Sequence, residues 1–291
     1  KLEVCNIFLD LDRSYINRAL IVSDIQDQKE QLKEIEHMYT SGLVLHSDVL
    51  RIALELSKRE LLLVEINHDI QALNQKLQFI TGLRATIIPE HVAFDKSMAQ
   101  YTDLWDVAKG HAYSLLRSHQ EVELKELAIK DTRANYLPQL GLAGSFTFAN
   151  PQIFLYPYND SWYSLGMVGL NLKIPISAIY LNKNKVRGAK VALEAEHVKH
   201  AAEEEAMQNQ LLQAYLDYKL ALEQNAVCLK NVDLAKENAR IIKNRYFKSS
   251  ALVTDLLDAD MQHLKTLFDL EAARISIQKH YYFIEFLKGT I

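Results

Sequence analysis

The sequence predicts a mainly α protein of very long coiled-coil helices, with an internal structural repeat and one two-stranded β-hairpin set between the helices. Three observations lead there. Glycine and proline are concentrated in one stretch, an apolar stripe with heptad spacing runs through much of the remainder, and the chain aligns with itself at an offset of 207 positions, as Asp48 onto Asp255.

Composition bounds the reading. The 291 residues are 49% apolar and 24% charged, which is a folded composition. A net charge of -4 argues against a nucleic-acid partner, whose proteins usually carry a basic face. Two cysteines, Cys5 and Cys228, are too few for a disulfide framework and read as buried thiols. No apolar run is long enough for a transmembrane helix. The chain opens at Lys1 directly in amphipathic sequence, without a signal peptide, which processing would have removed.

The elements follow in order. Residues 1–84 read as a helical hairpin whose turn falls at Ser41–Ser47, and residues 85–137 as helices leading onward. Between Pro138 and Gly188 lie most of the 9 Gly and 5 Pro, the residues that punctuate regular structure. Within 138–176 the period changes to two. Leu140, Leu142, Phe146 and Phe148 alternate with Gly141, Ala143, Ser145 and Thr147; after a loop, Trp162, Val168, Leu170, Leu172, Ile174 and Ile176 share one parity. These are two strands of about 10 residues, a length that fits either a membrane barrel or an ordinary hairpin. Tyr156, Tyr158, Trp162 and Tyr163 gather at one end, where an aromatic girdle would sit.

Residues 177–291 read as a second long helical hairpin with its turn at Lys248–Thr254. From Leu211 through Ala214, Tyr218, Ala221, Asn225 and Cys228 to Val232, Ala235, Ala239, Ile242 and Tyr246, spacings of three and four alternate as in a coiled-coil seam. A single helix over Lys183–Lys248 would be about 100 Å long at 1.5 Å per residue. The 207-residue offset joins the two hairpins without a gap from Phe8 to Arg84: Tyr39 meets Tyr246, Leu50 meets Leu257, Phe79 meets Phe286 and Gly82 meets Gly289. Residues 85–291 form one complete unit and 1–84 only the end of another, so the expectation is an N-terminally truncated chain.

Several segments carry a family resemblance. They are Arg133-Ala134-Asn135-Tyr136-Leu137-Pro138 running into a strand, and Gly169-Leu170-Asn171-Leu172-Lys173-Ile174-Pro175-Ile176 before a long helix beginning near Asn182. Tyr39-Thr40-Ser41-Gly42 with Asp48-Val49-Leu50, and Arg245-Tyr246 with Asp255-Leu256-Leu257-Asp258-Ala259, complete the set. In this order, over nearly the whole chain, they resemble the TolC family of outer-membrane efflux proteins. The resemblance implies a homotrimer in which each subunit lends strands to one shared transmembrane β-barrel and helices to a periplasmic helical barrel. It further implies contact with outer-membrane lipid, a periplasmic adaptor (membrane fusion) protein and an inner-membrane pump, and a passive export duct without enzymatic chemistry or cofactor.

Site candidates follow from it. Tyr246, Asp255 and Asp258 fall on family positions that line or latch the tunnel entrance, and Asp48 is the first-repeat counterpart of Asp255. Three copies of an acid around an axis would favour cations. From the residues alone, capping and first-turn acids explain the same aspartates. Ala251 stands where some members carry a basic latch residue, and Arg51 is the counterpart of Asp258. The turns, with Ser41, Gly42, Leu43, Val44, Ser249, Ser250, Ala251, Leu252 and Val253, are either adaptor-docking tips or buried turns. Leu142, Phe146, Phe148, Trp162, Leu170 and Leu172 are the candidate membrane-facing strand residues. His197 and His200 with Glu203 and Glu204 have helical spacing, but such a set is usually a polar face rather than a metal site. No nucleophile elbow, P-loop, dinucleotide or zinc-protease motif occurs, so an enzyme has no supporting constellation. A coiled-coil scaffold or the periplasmic adaptor itself is the competing class. An adaptor would need many more short strands, and a scaffold would not need an aromatic-flanked strand pair.

Overall fold

The computed structural model describes residues 1–90, 94, 97–151, 156–157, 160–248 and 250–291, with the side chains of 178–179 set aside. Helices α1 (Leu2–Thr40) and α2 (His46–Thr81) form the first hairpin. After α3 (Tyr101–His111) and α4 (Tyr113–Ala134) come the strands β1 (Gln139–Ala149) and β2 (Tyr163–Lys173), then α5 (Ala178–Phe247) and α6 (Val253–Leu287). The expected fold class is therefore the observed one. The chain divides into two compact units, 1–113 with 207–291, and 114–206.

In the first unit α1 packs against both α2 and α6. Its stripe of Ile7, Leu11, Ile21 and Ile25 meets Leu56, Ile66, Ile70 and Leu77 of α2 and Leu264 of α6. The heptad seam read on α5 is the buried one: Leu211, Ala214, Tyr218, Ala221, Ala235, Ala239 and Tyr246 are buried, and Asn225, Cys228, Val232 and Ile242 are half-buried. Gly188, counted with the punctuating residues, instead lies inside α5, which spans 70 residues. An interior glycine costs a helix about 1 kcal/mol against alanine, too little to break one held along its length by packing.

The repeat is visible in hydrogen bonds. α1 ends in a Schellman motif: the Leu43 amide donates to the Met38 carbonyl at 2.9 Å and the Gly42 amide to Tyr39 at 2.9 Å, with Gly42 at φ 75°. At the repeat-equivalent place the Ser250 amide donates to the Arg245 carbonyl at 2.9 Å. α2 and α6 then begin at equivalent leucine N-caps, Leu45 (φ -83°, ψ 151°) and Leu252 (φ -87°, ψ 157°). The turns are thus shorter than expected, because each helix resumes immediately after its leucine, at His46 and Val253, rather than at the acid two residues on.

After α2 the chain folds back. The buried Asn74 donates from its amide nitrogen to the Ile70 carbonyl and accepts from the Ile87 amide at 2.9 Å, while the Gln78 side chain donates to the Ala85 carbonyl at 3.0 Å. α3 stops at Ala112, which is extended (φ -60°, ψ 121°) and buried. Gly289, at φ 76°, ends α6 against this break. A Cβ there would lie 2.0 Å from the His111 carbonyl oxygen. Its counterpart Gly82, at φ 73°, has open space.

In the second unit β1 and β2 pair antiparallel over their full length, in the register Gln139↔Lys173 to Ala149↔Tyr163. This sets Leu140 opposite Leu172, Leu142 opposite Leu170 and Gly144 opposite Val168 on one face, with Phe146 opposite Gly166. The Phe146 ring lies over Gly166, where a Cβ would come within 3.1 Å of it. The other face carries Gln139, Gly141, Ala143, Asn171 and Lys173. α4 and the first part of α5 are joined by Lys199, whose ammonium donates to Glu121 at 2.8 Å and Glu196 at 3.0 Å.

The two glycines give a test. Gly82→Ala meets only the left-handed backbone cost, about 1–2 kcal/mol. Gly289→Ala adds a collision with main chain and is expected to lower the melting temperature substantially more. Circular-dichroism melts of the two variants check this, and equal shifts would show that the α6 end does not sit on the α3 break.

Candidate functional site

The two hairpin turns come together. Gly42, Leu43, Val44 and Leu45 of the first turn and Ala251, Leu252, Val253 and Thr254 of the second line one cavity of about 520 Å³ with Ser47, Asp48, Arg51 and Tyr246. Beneath it lies a small core drawn from four helices: Ile35 of α1, Val49 and Ile52 of α2, Tyr246 of α5, and Val253 and Leu256 of α6. Ile52 and Leu256 are fully buried. Truncating such a leucine to alanine typically costs about 2–5 kcal/mol, so this core fixes the tip.

Tyr246 is the hinge of the arrangement. Its ring is buried and packs edge-on to Phe247, with centroids 5.6 Å apart. Its hydroxyl is buried without a hydrogen-bond partner. Burial pushes the phenol above its ordinary pKa, and the carboxylate of Asp48 adds to the rise. The first-repeat counterpart, Tyr39, is exposed and sits over the His46 ring at 5.1 Å. The same residue type thus has two environments at equivalent positions.

Of the expected gate residues, Asp48 and Tyr246 lie together at the cavity. Asp255 and Asp258 are exposed on the first turns of α6 and do not line it. Asp255 caps its own helix: its Oδ2 accepts from the Leu252 amide at 3.3 Å. Leucine has no acceptor side chain to return the bond, so only one half of a capping box forms. Of the expected docking residues, Leu43 and Leu252 are well exposed, at 66% and 68%, and Val44 and Ala251 are half-buried. The Ser41 hydroxyl donates to the His37 carbonyl and that of Ser250 to Arg245, both at 3.0 Å. Ser249 and Tyr158 lie outside the described residues.

Among the strand candidates, Leu142, Phe146, Phe148, Leu170 and Leu172 share one exposed face of the hairpin. Phe146 and Phe148 meet edge-on at 4.9 Å. Trp162 is exposed but precedes β2 by one residue. In α5 the His200 ring nitrogen Nδ1 is 2.9 Å from the Ser118 hydroxyl. Among the described residues no group of three or more His, Cys, Asp or Glu could hold a metal ion, and no helix is long and apolar enough to cross a membrane.

Sequence reasoning missed Leu45 and Thr254 as cavity residues, and it missed a buried polar layer below the tip. The ion pair Asp24–Arg59 joins α1 to α2 at 2.5 Å. Asp260 of α6 accepts from the side-chain amides of Gln28 and Gln31 at 3.1 and 3.4 Å. The signal was present: Gln28 and Gln31 interrupt the apolar stripe between Ile25 and Ile35.

Helices this long, a two-stranded hairpin with one apolar face and a paired-turn tip define an outer-membrane channel architecture, and the comparisons agree. Residues 104–282 match the outer membrane efflux protein family, so the chain belongs to that family. Similar solved structures include the outer-membrane channel OprN (TM-score 0.77, 15% identity), covering 99% of this chain and 65% of that one. The outer membrane protein VceC of Vibrio cholerae is similar over 99% of this chain and 69% of its own (TM-score 0.72, 19% identity). CusC is similar over 99% and 67% (TM-score 0.81, 11% identity). No individually curated protein sequence matches.

The orphaned hydroxyl makes Tyr246 testable. Removing it leaves no partner stranded, so Tyr246→Phe is expected to keep or slightly raise the melting temperature. Tyr246→Ala should lose about 3–5 kcal/mol, as for other buried aromatics. A loss of stability in Tyr246→Phe would show that the hydroxyl is hydrogen-bonded in solution.

Proposed function

We propose that the chain is one subunit of a passive, trimeric export duct that crosses the outer membrane and extends into the periplasm. The observation that carries this is an interface filled once and left open once. Within the chain, α1 of the first repeat packs on α6 of the second. The equivalent faces are α5, the counterpart of α1, and α2, the counterpart of α6. Leu9 of α1 is 5% exposed, whereas its counterpart Leu216 on α5 is 50% exposed. Phe268 of α6 packs on the core, whereas its counterpart Leu61 on α2 is 59% exposed. Leu50, Leu54 and Val64 extend the open stripe on α2. Joining α5 of one copy to α2 of the next repeats the internal contact between copies. Such a head-to-tail contact closes into a ring when the rotation allows.

The hairpin supports the same reading. Two strands leave unpaired edges that hydrocarbon does not tolerate, so strands from several subunits must close a barrel. Leu142, Phe146, Phe148, Leu170 and Leu172 then face lipid. The tip cavity, rimmed by exposed Leu43, Leu45 and Leu252, receives the helical hairpin of a periplasmic adaptor, which links the duct to an inner-membrane pump. Asp255 and Asp258 form acidic rings at the periplasmic mouth. The duct has no reaction to catalyse, and its energy comes from the pump.

Planar-bilayer recording of the detergent-extracted full-length protein tests the duct. Discrete single-channel steps are expected, and a protein that stays soluble without detergent and never conducts would refute it. Asp255→Asn with Asp258→Asn should weaken block by multivalent cations; unchanged block would remove these residues from the mouth.

A further inference from the structure

The polar layer below the tip serves neither the lipid face, the docking face nor the cavity. Asp24 of α1 pairs with Arg59 of α2, which is 1% exposed. Gln28 and Gln31 of α1, each 3% exposed, bond to Asp260 of α6. Three helices are thus tied by charged and amide groups inside an otherwise apolar seam. Satisfaction is incomplete: Nη1 and Nη2 of Arg59 and the oxygens Oε1 of Gln28, Gln31 and Glu55 are buried without partners. Buried and only partly paired charge is costly.

The layer belongs to one repeat only. At the 207-residue offset, Asp24 becomes Asn231, Arg59 becomes Thr266, and Asp260 faces back to Ala53. The equivalent seam therefore carries none of these charges. Around Asp24 the charges come from all three helices: Asp27 from its own, Arg59 from α2 and Asp260 from α6. Glu55, one turn from Arg59, is met by Lys58 at 3.1 Å, and Lys29 is engaged outside by Glu60 at 3.0 Å. His263 lies one turn beyond Asp260 on α6. Counting Asp24, Asp27 and Asp260 against Arg59, acid outweighs base at this level.

We propose that Asp24 is a proton-binding site that braces α1 against α2 and α6, so that mild acid tightens the helices below the tip while the equivalent seam stays insensitive. The physical cause is desolvation first. Burial raises the Asp24 carboxyl from 3.8 to about 6, with Asp260 and Asp27 adding and Arg59 opposing. The sign follows from linkage. The folded state takes up the proton before the open state does, so the gain is complete below the ordinary carboxylate range and is lost as pH rises through about 6. Protonation sacrifices part of the attraction to Arg59 and removes a desolvated charge with two like-charged neighbours. This brace does not depend on the chain forming a conducting pore.

Hydrogen exchange of the full-length protein in detergent, read by mass spectrometry and corrected for intrinsic rates, tests it. Peptides covering 21–35 and 256–264 are expected to be about tenfold more protected near pH 5 than near pH 7.5. Peptides around 228–240 of α5 should not change. Asp24→Asn should abolish the difference. Should that variant fail to fold, Asp260→Asn keeps an acceptor for the glutamines and should move the midpoint to lower pH. Equal protection at both pH values, a pH effect surviving in Asp24→Asn, or an unmoved midpoint in Asp260→Asn would overturn the proposal.

Discussion

The structure depends on the need of very long helices to hide an apolar stripe along their whole length. A helix of 39 or 70 residues cannot bury its stripe against itself. α1 solves this by lying between its own hairpin mate α2 and the α6 of the other repeat. Everything else in that unit is arranged around this middle helix. The tip core closes its lower end, and the polar layer crosses it one stretch above. The chain segment pinned by Asn74 and Gln78 continues past the end of α2. Its counterpart α5 has half of the same solution inside the chain, and its other flank is open.

Much of this was legible in the residues. The helical seam of α5 could be read position by position because small and large apolar residues recur at three and four. The strand register could be read because one parity is apolar from Leu140 to Phe148 and again from Val168 to Leu172. The pairing of the two turns followed from the offset between Asp48 and Asp255. What escaped was tertiary. Nothing in the local pattern says that Gly289 is pressed against a carbonyl while Gly82 stands free. Nor does it say that Tyr246 is buried while Tyr39 is exposed. Those differences arise from what each repeat packs against. The aspartates illustrate a different gap: Asp255 is a helix cap by geometry, and a role at a channel mouth is additional to that one.

Backbone and side chains have diverged unequally. The leucine N-caps agree closely in φ and ψ, and the six-to-one amide bond at each turn has the same length. Charge has not been held. Arg51 stands at the position of Asp258, and Asp24 with Arg59 stands where Asn231 and Thr266 are neutral. An apolar seam tolerates such change only where partners arrive from neighbouring helices. The amides of Gln28 and Gln31 reaching Asp260 show how that is met.

The matched turns also bear on how such a tip can evolve. In a ring of identical chains every substitution appears once per chain, so the smallest step in electrostatic character is set by the symmetry. Duplication within the chain halves that step. One hairpin can drift towards arginine while its sibling stays acidic, and their shared main-chain geometry keeps both at the same level. The doubled turn thus behaves as a pair of internal paralogues, one free to specialise while the other preserves the ancestral character.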